Sequence, residues 1–164
     1  MTTSTYVLAR FTSLEKLVPA IKTIEGCRSM VRWNAVDGHV NMVIKFNVAS
    51  SALPDSIKKL DGIQELLAYE VADNYTASAP LKPDSLYTYV FVETESAKKT
   101  QIKKIIDNWE NIHSCEPTSG GCDLIVLIEG ENFQEIDRII KEKIHPLDGI
   151  LRIKIDKVIN LKQI

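Results

Sequence analysis

The 164-residue sequence predicts an α+β fold built from two successive β-α-β-β-α-β units. Three observations carry this. Leu60-Asp61-Gly62-Ile63 and Leu147-Asp148-Gly149-Ile150 each lead into a β-rich run. Ahead of each lies a pair of strand-like runs around a glycine turn, Asp37-Gly38-His39-Val40-Asn41 in the first half and Ser119-Gly120-Gly121-Cys122-Asp123 in the second. Apolar stripes at helical spacing fill the matching gaps. Such recurrence sets architecture before any single motif does. Two small sheet-and-helix units in one chain can bury against each other, giving a pseudo-symmetric body with a ligand pocket or an interaction surface.

In the first unit, Tyr6 to Phe11 reads as a strand. Thr12 and Glu15 have capping-box spacing, and Leu14, Leu17, Val18, Ile21 and Ile24 form one helical face that Gly26 ends. Pro19 within that face predicts a later start or a kink, because it removes a hydrogen bond and crowds the preceding turn. Asp37-Gly38 between Cys27–Val36 and Val40–Val48 is a hairpin signal. Val40, Met42, Ile44 and Phe46 are expected on one face of the second strand. A short helix with Pro54 in its first turn and a strand from Ile63 to Asp73 complete the unit.

The prolines and small residues between Tyr75 and Asp84 read as a linker. The expected organisation is a first unit at 1–75, a linker at 76–85 and a second unit at 86–164. In the second unit Leu86–Val92 is a strand, and Ser96 caps a helix with Ile102, Ile105, Ile106 and Trp109 on one face. Ile112–Glu116 and Cys122–Glu129 make a hairpin. Phe133, Ile136, Ile139, Ile140 and Ile144 form a helical stripe stopped by Pro146, and Ile150–Leu161 closes the order. This is the split βαβ, or ferredoxin-like, arrangement. Leu124-Ile125-Val126-Leu127-Ile128 is apolar on both faces, so something covers the sheet opposite the helices. The other unit, packed sheet against sheet, is the expected cover.

Composition narrows the function. Twenty basic and 22 acidic residues give a net charge of −2, without the basic excess of a free-standing nucleic-acid binder. Three cysteines do not make a disulfide framework, and a reducing cytoplasm is the expected compartment. The first residues show no signal-peptide pattern, and apolar runs fall well short of the roughly 20 residues that span a bilayer. No P-loop, dinucleotide fingerprint or Gly-x-Ser-x-Gly elbow is present.

Gly120-Gly121-Cys122-Asp123 running into Leu124-Ile125-Val126 resembles the Gly-x-x-Asp hairpin of the Lrp/AsnC (feast/famine) effector-binding domain. Gly38-His39-Val40-Asn41 before Met42-Val43-Ile44 resembles it with Asn in place of Asp, and the Asp-Gly-Ile segments are similar to that family's Pro-Gly-Val turn. The resemblance implies two copies of that domain without its helix-turn-helix, so DNA binding is not carried over. It implies a small-molecule effector, commonly an amino acid, and assembly into a homo-oligomer or onto a partner DNA-binding regulator. By position it points to Thr118, Ser119, Gly120 and Asp123, and to Asp37, Gly38 and Asn41 in the first unit. The chemistry agrees: glycine lets backbone N–H groups approach a carboxylate, and an aspartate pairs with an ammonium. Asn41 carries no charge, so the second hairpin is the expected amino-acid site. Glycine turns that merely start strands are the plain alternative.

His39, His113 and His145, with Cys115 and Cys122, raise a metal or haem site; His113 and Cys115 are expected on one strand face. No Cys-x-x-Cys pair accompanies them, so neither metal nor cofactor is expected and the cysteines read as core. Trp33 and Trp109 read as packing residues, Arg28 and Arg32 as a solvated strand face, and Lys98-Lys99 with Lys103-Lys104 as a solvated helix face. The expectation is a non-catalytic sensing module. A dimeric α/β-barrel enzyme, monooxygenase-like or haem-handling, is the alternative, and a ligand-free interaction protein comes third. The enzyme would need a roomy cavity between sheet and helices; the sensor would have filled interiors and a pocket between units.

Overall fold

The computed structural model describes residues 3–71, 80–119 and 121–159. The first unit runs β1 (Thr5–Phe11), α1 (Leu14–Glu25), β2 (Met30–Asp37), β3 (Met42–Phe46), α2 (Asp55–Lys58) and β4 (Ile63–Val71). The second runs β5 (Leu86–Thr94), α3 (Lys99–Asp107), β6 (Ile112–Ser119), β7 (Leu124–Gly130), α4 (Phe133–Ile139) and β8 (Ile150–Ile159). The ends of the expected closing strands, Asp73 and Leu161, and most of the expected linker lie outside the described residues.

All eight strands form one closed barrel in the order β1-β3-β2-β8-β5-β7-β6-β4. The expected sandwich thus goes further and seals its edges, the arrangement that removes unpaired strand edges altogether. Within each unit the ladders are long: β1 pairs with β4 from Thr5–Glu70 to Phe11–Ile63, and β5 with β8 from Thr88–Lys157 to Thr94–Ile150. The seams between units are short. β2 meets β8 at Ala35–Ile159, Val36–Val158 and Asp37–Lys157. β4 meets β6 at Glu70–Ser119 and Val71–Thr118.

Three apolar layers follow. Val7, Ile24, Met42 and Ile57 pack between the first sheet and its helices, and Val90, Ile106, Val126 and Ile144 between the second sheet and its helices. The barrel interior holds Tyr6, Leu8, Val36, Val43, Tyr89, Phe91, Ile125 and Leu127. Each buried Leu or Ile contributes roughly 1.5–3 kcal/mol.

Several expectations are corrected. Ser13, not Thr12, precedes α1, and no side chain caps it. Pro19 lies inside α1, which runs unbroken. It is the sixth helical residue, so its missing N–H removes one bond only, to the Glu15 carbonyl. Ser96 opens a 3₁₀ turn to Lys98, and α3 starts at Lys99. Val40 belongs to the barrel interior whereas Met42, Ile44 and Phe46 face the helices, because β3 begins only at Met42. A bulge between Ile112 and Ser114 breaks the alternation of β6. Cys115 therefore joins the helix-side layer while His113 sits edge-on to Tyr87 of the interior.

Candidate ligand site at the barrel mouth

The two glycine hairpins have matching anchors. In the first, the Asn41 N–H donates to the Ala9 carbonyl at 2.9 Å and the Val36 N–H to the Asn41 carbonyl at 2.8 Å. In the second, the Asp123 N–H donates to the Val92 carbonyl at 2.9 Å and the Thr118 N–H to the Asp123 carbonyl at 2.8 Å. The side chains match too: Asn41 Oδ1 accepts the Phe11 N–H at 2.8 Å, and Asp123 Oδ2 accepts the Thr94 N–H at 2.9 Å. Asn41 and Asp123 thus tie each hairpin to the bulged end of β1 or β5.

Of the remaining expected site residues, Thr118 is buried and its hydroxyl donates to the Cys122 carbonyl at 3.0 Å, while its own carbonyl accepts from Lys99 Nζ at 2.8 Å. Ser119 is exposed at the β4 seam, and Asp37 is exposed at the β8 seam. Gly38 lies so close to β8 that a Cβ there would sit 2.3 Å from Asp156 Oδ1 and 2.4 Å from the Ile155 carbonyl oxygen. Gly120 lies outside the described residues. Gly121 has φ +116°, a conformation that favours glycine.

Because each hairpin crosses to the other unit, their tips meet at one end of the barrel. There Leu8, His39, Tyr69, Phe91, Glu93, Gly121, Cys122, Arg152 and Lys154 enclose a narrow space of about 20 Å³. His39 Nδ1 lies 2.5 Å from Asp156 Oδ2, and Asp156, fully buried, also accepts the Val40 N–H at 3.2 Å. The guanidinium of Arg10 holds the His39 carbonyl, Nε at 3.0 Å.

Deeper in the barrel a polar girdle joins the units. Tyr6 donates to Glu116 Oε1 at 2.5 Å, and Lys45 Nζ lies 3.0 Å from the same oxygen. Tyr89 donates to Asn34 Oδ1 at 2.8 Å in the matching position. Burial and then the Glu116 carboxylate hold the Tyr6 phenol well above its usual range, so it stays a neutral donor. The solvated reading of Arg32 is corrected, since its Nε and Nη2 atoms are buried; Arg28 precedes β2 rather than sharing its face.

The other weighed residues serve packing. Burial pushes the Cys115 thiol up to about 12 and the Cys122 thiol up to about 11. Trp109 and Trp33 each pack against a helix-side layer, with Trp33 Nε1 donating to Glu25 Oε1 at 3.1 Å. Lys98 and Lys103 pair with Asp148 and Asp107, and Lys99 reaches β6, so these lysines are not simply a solvated face. Among the described residues, no group of three or more His, Cys, Asp or Glu side chains converges as a metal site, and no helix is long and apolar enough to cross a membrane.

Sequence reasoning missed Asp156, Glu93, Arg152, Lys154, Lys45, Glu116 and Tyr6. For β8 a signal existed: Arg152, Lys154 and Asp156 put charge on one face of a strand expected to be covered on both.

The architecture is an eight-stranded α+β barrel of two split βαβ units, with its candidate site where they meet. Residues 88–161, nearly the whole second unit, match the family described as the Lrp/AsnC ligand binding domain, which bears out the resemblance read from the second hairpin. No curated protein sequence matches the chain. Among solved structures, the chain is similar to the siroheme decarboxylase NirDL in complex with an iron-uroporphyrin III analogue, with TM-score 0.72, 10% identity, 96% of this chain and 72% of that one covered. It is also similar to a protein provisionally assigned as a monooxygenase from Fusobacterium nucleatum, with TM-score 0.56, 10% identity and coverage of 96% and 90%. A major regulator of staphylococcal pathogenesis gives TM-score 0.51 at 10% identity, with coverage of 96% and 99%. At these identities the likeness is one of fold, and folds host many functions.

Proposed function

We propose that this chain is a non-catalytic small-molecule sensing module that takes an amino acid where its two hairpins meet, and acts through homo-oligomer assembly or a partner transcription regulator. The observation that carries the reading is the placement of space. The layers between sheets and helices are filled with apolar side chains, and the narrow opening lies between the units, lined from both. The family match over residues 88–161 supports an effector-binding role for the second unit. In this reading the Gly120-Gly121 backbone receives the ligand carboxylate and Asp123 its ammonium, with Thr118 and Ser119 alongside; Asp37, Gly38 and Asn41 form the weaker, uncharged counterpart. The short seams supply the response. A ligand that binds better when the hairpins are drawn together, or apart, shifts that equilibrium by its differential affinity.

The test is calorimetry against the twenty amino acids, with light scattering for mass. Asp123→Asn copies the tie that Asn41 makes and removes only charge. Loss of amino-acid affinity by tenfold or more, with folding intact, is expected; unchanged affinity would contradict the assignment.

A second reading, an α/β-barrel enzyme, draws on the His39–Asp156 pair, since a buried carboxylate orienting an imidazole is an arrangement used for general-base chemistry. Among its neighbours in fold is a siroheme decarboxylase. An absorbance titration with an iron porphyrin separates the two: a saturable Soret shift lost in His39→Ala favours the enzyme.

A further inference from the structure

We infer that the barrel mouth is an oxyanion site, in which Arg152 and Lys154, beside His39, receive the carboxylate or phosphate group of a small metabolite. The inference rests on the reading that a ligand enters at the mouth, but not on that ligand being an amino acid.

The two units act as internal controls for each other. Along β1–β4 the facing pairs are Arg10–Glu65, Leu8–Leu67 and Tyr6–Tyr69. Along β5–β8 the same register places are Glu93–Arg152, Phe91–Lys154 and Tyr89–Asp156. Where the first unit has Leu67 and Tyr69 turned to the interior, the second has Lys154 and Asp156. Where the second hairpin has Gly121, the first has His39, which reaches Asp156. The barrel is therefore built with uncharged side chains at these places on one side, and the charges on the other are not needed to close it. A charge taken from water is costly unless it is hydrogen-bonded or paired, and Asp156 is held by His39 Nδ1 and the Val40 N–H.

Lys154 is a charge with no counterpart in the first unit, and Arg152 stands beside it, facing Glu93 where the first unit has Arg10 facing Glu65. Among the described residues neither the Lys154 nor the Arg152 side chain has a hydrogen bond or an ion pair. On the opposite face of the same strand, Lys157 pairs with Asp137 at 3.5 Å. Asp156 is not part of the lining, which holds two cations against the single carboxylate of Glu93, on a chain whose net charge is −2. A guanidinium fork and an ammonium converging on one opening match the oxygens of a carboxylate or phosphate. Glu93, directly opposite Arg152, suits a ligand that also carries a hydrogen-bond donor. The space of about 20 Å³ admits about one water-sized group, so an oxygen of the anion enters between the cations and the rest of the ligand lies outside.

The test is an amide and histidine NMR titration of the full chain with sodium acetate and, separately, sodium phosphate, at ionic strength held constant with sodium chloride. Saturable shifts at Gly121, Cys122 and His39 are expected with at least one of the two, and the anion that gives them names the source. Arg152→Gln and Lys154→Gln should each weaken binding fivefold or more, and Lys157→Gln should leave it unchanged. No saturable shift with either anion, or shifts untouched in the Arg152→Gln/Lys154→Gln double variant, would overturn the inference. Amino-acid binding that needs Asp123 and ignores both cations would sink this site and leave the sensing proposal standing. Acetate binding that needs both cations, with no amino acid bound, would do the reverse.

Discussion

Replacing Glu116 with asparagine probes how the two units are locked together. Tyr6 and Tyr89 occupy the same place in β1 and β5, opposite Lys45 and Leu127 respectively, and their hydroxyls reach Glu116 and Asn34. Glu116→Asn therefore copies the other half of the barrel and keeps an acceptor for Tyr6. It strands Lys45, whose side chain is 9% exposed and whose ammonium pairs with Glu116. Removing one partner of a buried pair costs about 3–5 kcal/mol, whereas replacing both with residues that fit is often close to neutral. The matching place around Tyr89 already shows residues that fit, Leu127 and Asn34. The double variant Lys45→Leu/Glu116→Asn is thus expected within about 1 kcal/mol of the parent, a coupling of at least about 2 kcal/mol. At about 2–4 °C per kcal/mol for a chain of this size, the single variant should lose roughly 6–20 °C in Tm. Urea unfolding followed by circular dichroism, with linear extrapolation, measures both. A single variant costing under about 1 kcal/mol, or a double variant losing as much as the single or more, would refute the reasoning.

Other consequences can be checked with simpler assays. Gly38→Ala should cost about 1–3 kcal/mol, because its Cβ would meet the Ile155 carbonyl oxygen at 2.4 Å and force the hairpin off β8; Gly26→Ala, whose Cβ meets nothing nearer than 3.5 Å, should be neutral or slightly stabilising in the same thermal melt. A thiol reagent at pH 8 should label Cys27 in the folded protein and spare Cys115 and Cys122, whose burial pushes them up to about 12 and about 11; counting adducts by mass spectrometry decides it. Glu70 accepts from the Ser50 hydroxyl and N–H, which hold its carboxyl below the usual range. Its contribution is complete above the unfolded-state pKa and is lost as pH falls through the lower folded value, so Glu70→Gln should flatten the acid side of the stability–pH curve.

Much of the fold was legible because its signals are local. Asp37-Gly38 and Asp148-Gly149 mark turns without reference to distant residues, and the doubly apolar Leu124–Ile128 run announced a covered sheet. What failed depends on register. The bulge beside His113 and the late start of β3 each changed which way side chains point, and neither has a signature in one sequence. The site was half legible. Both hairpins were identified, but His39 meets Asp156 across 117 residues of chain, through a seam that exists only once the barrel closes. The Lys45–Glu116 pair is hidden for the same reason, because the two residues belong to different units.

The central claim, that a ligand is sensed where the two hairpins meet, is tested most directly by hydrogen exchange with mass spectrometry. The full chain would be compared alone and with whichever of the twenty amino acids most raises its melting temperature. Altered exchange confined to residues 35–41 and 118–124 and to the facing segments of β4 and β8 is the predicted result. Unaltered exchange there, or protection that falls instead between a sheet and its helices, would contradict it.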